Sequence, residues 1–188
     1  WDVGEEPELQ AFLRPDETAA ALLQRVVVPP LRTGLPFFGQ GAGSLRAGDV
    51  VELAGPSGSG KTELLLRAAC ACVLPAGRGG ADLGGSAAHF LLLDLDGTFD
   101  PVRLVQVLDA LIRARLGAAA GGPGLEPEAL LEESLQRFHR ARCRDGVALV
   151  AALRSFRRRL AADRQRGAAP RFRAVGIDGV GAPYWLER

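Results

Sequence analysis

The chain has 188 residues, 47% of them apolar and 24% charged, enough for one packed domain and marginal for two. No apolar run approaches the roughly 18 residues needed to cross a bilayer. The cysteines (Cys70, Cys72 and Cys143) are odd in number and form no C-x-x-C pair, which disfavours a disulfide framework and fits a reducing intracellular compartment.

Net charge is +1, but it is unevenly spread. Residues 1–136 carry net −8, residues 137–173 carry 12 arginines against Asp145 and Asp163, and the last fifteen residues carry −1. A basic segment of this kind suits nucleic-acid phosphates or an acidic partner, and equally a solvated helix face. The sequence begins at Trp1 and has no Met, so the true start is expected upstream and targeting is not legible from this end. No repeat of 20–50 residues is visible.

In chain order, residues 8–28 read as helix, interrupted at Pro15-Asp16 and ended by Pro29-Pro30. A Gly-rich approach leads to DVVELA, 49–54, expected as a buried strand. GPSGSGKT, 55–62, fits G-x-x-x-x-G-K-[ST], and a helix over 60–74 follows, stopped by Pro75. The stretch 76–88 reads as a flexible connection, and HFLLLD, 89–94, as a central strand. Asp100 and Pro101 make a good N-cap and first helical residue, with Val105, Leu108, Leu111 and Ile112 as the apolar stripe. A second spacer spans 117–127 and a helix 128–136; FHRARC, 138–143, reads as a poor strand. A helix over 147–162 is expected to turn Val150, Leu153, Phe156 and Leu160 inward and its arginines outward. FRAVGID, 172–178, closes the series as a strand. This alternation predicts an α/β domain with a mostly parallel sheet flanked by helices.

The glycine-rich loop carries the chemistry. Gly55, Gly58 and Gly60 permit backbone conformations that turn N–H groups onto phosphate oxygens, with Pro56, Ser57 and Ser59 completing the loop. Lys61 is expected to reach the β- and γ-phosphates of ATP, and Thr62 to bind Mg²⁺ through its hydroxyl. Of the 23 basic side chains, 22 are arginine and one is Lys61. A compact ammonium nests between phosphates where a planar guanidinium does not. A single lysine placed at random would fall there about once in 188, which favours a real phosphate site. The metal also needs an acid at a neighbouring strand end. Asp178 is the better candidate, with Asp94 competing. Asp96, two residues past strand 89–94, is placed to orient an attacking water. Arg154, Arg157, Arg158 and Arg159 are candidate DNA contacts, while Tyr184 and Trp185 suit packing better than base stacking.

GPSGSGKTELLLRAA, LLLDLDGTFDPVRL and AVGIDGVGAPYW together resemble the core of RecA-type recombinases, P-loop NTPases, and within them the eukaryotic recombinase paralogues. The most specific stretch is Asp94 to Leu104, similar to the family's D-T-E-G-T-F and Pro-x-Arg-Leu pattern, and it aligns the family's catalytic glutamate with Asp96. The resemblance covers about residues 17–188, weakly across the spacers. It implies an N-terminal helical segment, 1–30, before an ATP-binding core, 31–188, that stops after the metal-binding strand. It also implies ATP and Mg²⁺ as cofactors and a nuclear role in homologous recombination. The implied partners are other recombinase paralogues, most directly paralogue D, and single-stranded or branched DNA bound as a complex, with no membrane. Aspartate in place of glutamate shortens the side chain by about 1.5 Å. A misplacement of about 1 Å can cost on the order of 100-fold, so binding with weak or no hydrolysis is expected. A competent ATPase of another RecA-type branch and a nucleotide-free scaffold stay open as alternatives.

Overall fold

The central element is β5, His89–Asp94, whose unbroken apolar run fits a strand covered on both faces. In this computed structural model, which describes residues 18–19, 23, 29–37, 43–118, 126–166 and 171–181, β5 pairs in parallel with β6 (Phe138–Arg142) and β7 (Phe172–Asp178). The strand order is β6-β5-β7. In the ladder Asp94 lies opposite Arg142 on one side and Asp178 on the other. All three strands therefore end along one edge of the sheet.

Strand alternation sends Phe90 and Leu92 to one face, against α1 (Lys61–Val73), α2 (Pro101–Ala118) and α3 (Pro127–Leu135). Leu108, Ile112 and Leu130 are fully buried there, and each such side chain contributes about 1.5–3 kcal/mol by leaving water. Cys70 and Cys72 are buried in the same core, and burial pushes both thiols up to about 12, so they pack as small apolar groups. The opposite face carries Leu91 and Leu93 and is covered by α4 (Gly146–Gln165) through Ala148, Leu149 and Ala152. Val175 and Ile177 pair with Leu91 and Leu93 yet remain 40% and 38% exposed. Ahead of α1, β1 (Leu31–Arg32) pairs antiparallel with β2 (Ser44–Leu45).

Several sequence expectations need correction. Residues 49–54 form no strand: Val50 is 94% exposed, and among the described residues the segment joins no ladder, which leaves β7 as an edge of the sheet. The supposed connection 76–88 instead contains a hairpin, β3 (Gly77–Arg78) with β4 (Ala81–Asp82). Gly79 and Gly80 both take positive φ, the conformation that a two-residue hairpin turn demands. Leu83, just beyond, is fully buried. The buried stripe of α2 is Leu104, Val107, Leu108 and Ile112, whereas Val105 is exposed. On α4, Val150 and Leu153 are exposed, because Ala148 and Ala152 let the helix approach the sheet on a neighbouring stripe. Of the N-terminal segment 8–28, only Thr18, Ala19 and Leu23 are described, the last two as helical; the rest of it, the centre of the second spacer, Tyr184 and Trp185 lie outside the described residues.

The other edge of the sheet is closed by rings. His89 Nδ1 lies 2.8 Å from His139 Nε2, with the rings stacked at 5.1 Å. Phe172 tilts against both, and Phe156 of α4 meets Phe172 edge-on. One imidazole donates while the other accepts, an arrangement that needs a deprotonated nitrogen. Burial, followed for His89 by the neighbouring His139 and arginines and for His139 by Arg159, holds both rings below the ordinary imidazole value of 6.5. The folded state thus binds protons less readily than the unfolded chain. Its stability is complete above about pH 6.5 and falls as pH drops through the lowered folded values. Thermal unfolding followed from about pH 7.5 to pH 5 is expected to show this loss, and His139→Phe, which keeps a stacked ring without the titration, is expected to flatten it.

Candidate nucleotide site

Gly176 of β7 sets the height of α1 above the sheet. A Cβ there would come within 2.7 Å of Phe90 Cζ and 2.9 Å of Leu65 Cδ1. With hydrogen in that place, α1 lies close enough for Thr62, one turn before Leu65, to reach Asp178 at the strand end. The Thr62 hydroxyl donates to Asp178 Oδ2 at 3.0 Å, with Oδ1 at 3.3 Å. These residues lie 116 positions apart in sequence.

The loop before α1 is shaped for an anion. Gly58 and Gly60 have φ of 75° and 83°, which side chains rarely adopt. Gly60 caps the helix without a side-chain bond, and Leu64 N–H to Gly60 O, at 2.9 Å, opens the helical hydrogen-bond series. The amides of Lys61, Thr62 and Glu63 therefore have no acceptor within the helix and stand at its positive end. Lys61 Nζ donates to Gly55 O at 2.9 Å and Pro56 O at 2.7 Å, and lies 3.4 Å from Ser59 Oγ. The loop is folded around its own cation, and an incoming phosphate would exchange these carbonyl bonds for charged ones. The donor set fits a nucleotide phosphate. Among the described residues no cluster of three or more His, Cys, Asp or Glu side chains could hold a metal ion by itself. Two oxygen donors, Thr62 and Asp178, suit a magnesium ion whose other ligands are phosphate and water.

Asp94 is in a different situation. It is fully buried, accepts from Arg140 Nη2 and from Nε at 3.0 Å, and receives the Gly97 amide at 2.8 Å. Arg140 also lies 5.2 Å from the Phe99 ring centroid. Burial pushes the Asp94 carboxyl upward, but Arg140, the Gly97 amide and Asp96 outweigh it and hold it below the usual carboxylate range. Its carboxylate serves the fold, which leaves Asp178 as the acid beside Thr62. Asp96 stands on the same edge. Its carboxylate accepts the Thr98 amide at 3.1 Å and the Thr98 hydroxyl at 2.8 Å. A Cβ on Gly179, whose φ is 75°, would lie 3.1 Å from Asp96 Cγ, so Asp96 packs directly beside the residue after Asp178.

Arg154, Arg157 and Arg158 are exposed on α4. Arg159 differs, its guanidinium lying 5.3 Å from the ring centroid of Phe172. Phe172 begins β7 and Asp178 ends it, so this basic group and the loop lie at opposite ends of the strand. Two site features were missed in the sequence: the Asp94–Arg140 pair and a bidentate pair between Glu63 and Arg103. The abundance of arginine hid both. Arg140→Ala would strand the Asp94 charge in the core. Chemical denaturation should show a loss of about 3 kcal/mol, the low end for a broken buried pair, because Arg140 keeps 34% of its side chain in water. The pair's contribution is present above the ordinary Asp value of 3.8 and is lost as pH falls through the lowered folded value.

No protein-family profile matches the chain. It is 30% identical over 207 aligned residues to DNA repair protein XRCC2 homolog of Arabidopsis thaliana, an alignment that covers 96% of this chain and 53% of that protein. It is 30% identical over 141 residues to DNA repair protein XRCC2 of Mus musculus, covering 75% of this chain and 43% of that one. A shorter stretch of 67 residues is 39% identical to DNA repair protein RAD51 homolog A of Zea mays, covering 36% and 18%. The chain thus spans about half the length of the curated XRCC2 relatives it matches. The parallel sheet flanked by helices, the glycine-rich loop leading into α1 and these similarities show a RecA-like core, and the chain resembles the RecA-type recombinase paralogues over that core.

Proposed function

We propose that this chain is a subunit of a recombinase-paralogue assembly acting in homologous recombination repair of DNA in the nucleus, with a site for ATP and Mg²⁺ and weak or no hydrolysis of its own. The observation that carries the reading is the meeting of Thr62 with Asp178 beside an open helix N-terminus and Lys61. In this reading Gly55, Pro56, Ser57, Gly58, Ser59 and Gly60 wrap the phosphates, Lys61 neutralises them, and Thr62 and Asp178 hold the metal, which supplies charge neutralisation at the phosphates when bound. Asp96 orients water. Its short side chain, occupied by Thr98, supports slow turnover. The similarity to XRCC2 DNA repair proteins supports the repair role; the partners this reading assigns are other paralogues, paralogue D most directly, with single-stranded or branched DNA as the shared ligand.

A second reading, a scaffold that binds no nucleotide, draws on the self-satisfied Lys61 and on segment 49–54, which leads into the loop and joins no ladder among the described residues. Calorimetry with ATP and Mg²⁺ separates the two. The experiment uses the chain co-purified with paralogue D, whose own loop is inactivated by substitution. Heat with Kd on the order of micromolar, weakened at least about tenfold by Lys61→Ala, is the expected outcome. No heat from the unaltered chain would sink the nucleotide reading and favour the scaffold.

The same complex tests the basic face. Replacing Arg154, Arg157 and Arg158 by Gln is expected to weaken single-stranded DNA binding and lower its log–log salt slope by about 0.7 per phosphate contact removed. An unchanged slope would rule this face out.

A further inference from the structure

Glu63 follows Lys61 and Thr62 in the first turn of α1, and both its carboxylate oxygens are held by one guanidinium. Arg103 Nε donates to Oε2 at 3.0 Å and Arg103 Nη2 to Oε1 at 2.8 Å. Arg67, one turn on, approaches the same carboxylate at 3.5 Å. Arg103 lies in the first turn of α2, just after the turn that carries Asp96. That turn is fastened at its β5 end by Asp94, which takes the Gly97 amide at 2.8 Å. At its α2 end Asp100 takes the Val102 amide at 2.8 Å. The fork of Arg103 is therefore a direct polar tie between the phosphate loop's helix and the far end of the Asp96 turn. A fork-to-fork pair fixes orientation as well as distance, which a single ammonium contact does not.

We propose that Glu63 and Arg103 are positioning residues that couple occupancy of the phosphate loop to the Asp96 turn. The inference rests on the nucleotide reading above. When phosphate draws Lys61 from its carbonyls, the first turn of α1 adjusts, and the fork passes that adjustment to α2 and so to residues 95–100. The pair is 30% and 49% exposed, so removing it changes overall stability little. The variants are expected to fold, and coupling can be read apart from stability.

The test is backbone hydrogen exchange over 95–100 in the full chain, with and without ATP and Mg²⁺, beside calorimetry. In the unaltered chain nucleotide is expected to slow exchange there by about tenfold. Arg103→Lys is expected to bind nucleotide within about twofold of the unaltered chain and to lose most of that protection, and Glu63→Gln to lose the protection likewise. Arg67→Gln, which removes a neighbouring charge but leaves the fork, is expected to retain it. Full protection in Glu63→Gln and Arg103→Lys overturns the proposal, as does equal loss in Arg67→Gln, which would reduce the effect to local charge. Nucleotide binding without any protection of 95–100 in the unaltered chain overturns this proposal alone. Absence of binding overturns the nucleotide reading and this one together.

Discussion

A carboxylate at the end of a buried strand needs a cation. Asp94 is fully buried, and what makes that position tolerable is Arg140 on the adjacent strand, stacked near Phe99. Several features depend on this arrangement. Arg140 ties β6 to β5. The other oxygen of Asp94 takes the Gly97 amide and shapes the turn after β5. That turn brings Asp96 against Gly179 and delivers the chain to Asp100, where α2 begins. The strand-end edge that holds the candidate site is organised from beneath by an ion pair that need not touch a ligand.

The elements that could be read in the sequence are those whose signal is local. The apolar run of β5, Asp100-Pro101 at the start of α2 and the glycines of the phosphate loop each carry their reason within a few residues. The failures belong to relations between distant segments. DVVELA has strand-like side chains, but a strand exists only when paired, and among the described residues this segment joins no ladder. The hairpin at 77–82 has strands of two residues each, too short for periodicity to register. On α4 the large side chains suggested one contact stripe, while two alanines made a neighbouring one the closer fit.

The site shows the same division. Lys61 and Thr62 announce themselves through spacing, and Asp178 through its place at a strand end. Asp94 and Asp96 sit in the same short stretch, DLD, and no local rule separates them. What separates them is Arg140 on β6, 46 positions from Asp94 and two before the residue opposite it in the ladder. Arginine was similarly opaque. The basic segment looked like a single surface, yet Arg137 binds Glu133 and the Val73 carbonyl, Arg140 binds Asp94, and Arg159 covers Phe172. The exposed arginines of α4 form a smaller cationic face than the composition suggests.

The carbonyl-held Lys61 also bears on the chain's covalent chemistry. It is the one lysine in 188 residues. Any enzyme that conjugates ubiquitin or an acyl group to lysine finds, within these residues, a single acceptor, lodged in the phosphate loop between Gly55 O and Pro56 O. Modification there would remove or obstruct the cation on which the loop is built. In this stretch of chain, lysine-directed marking and an intact phosphate loop are mutually exclusive.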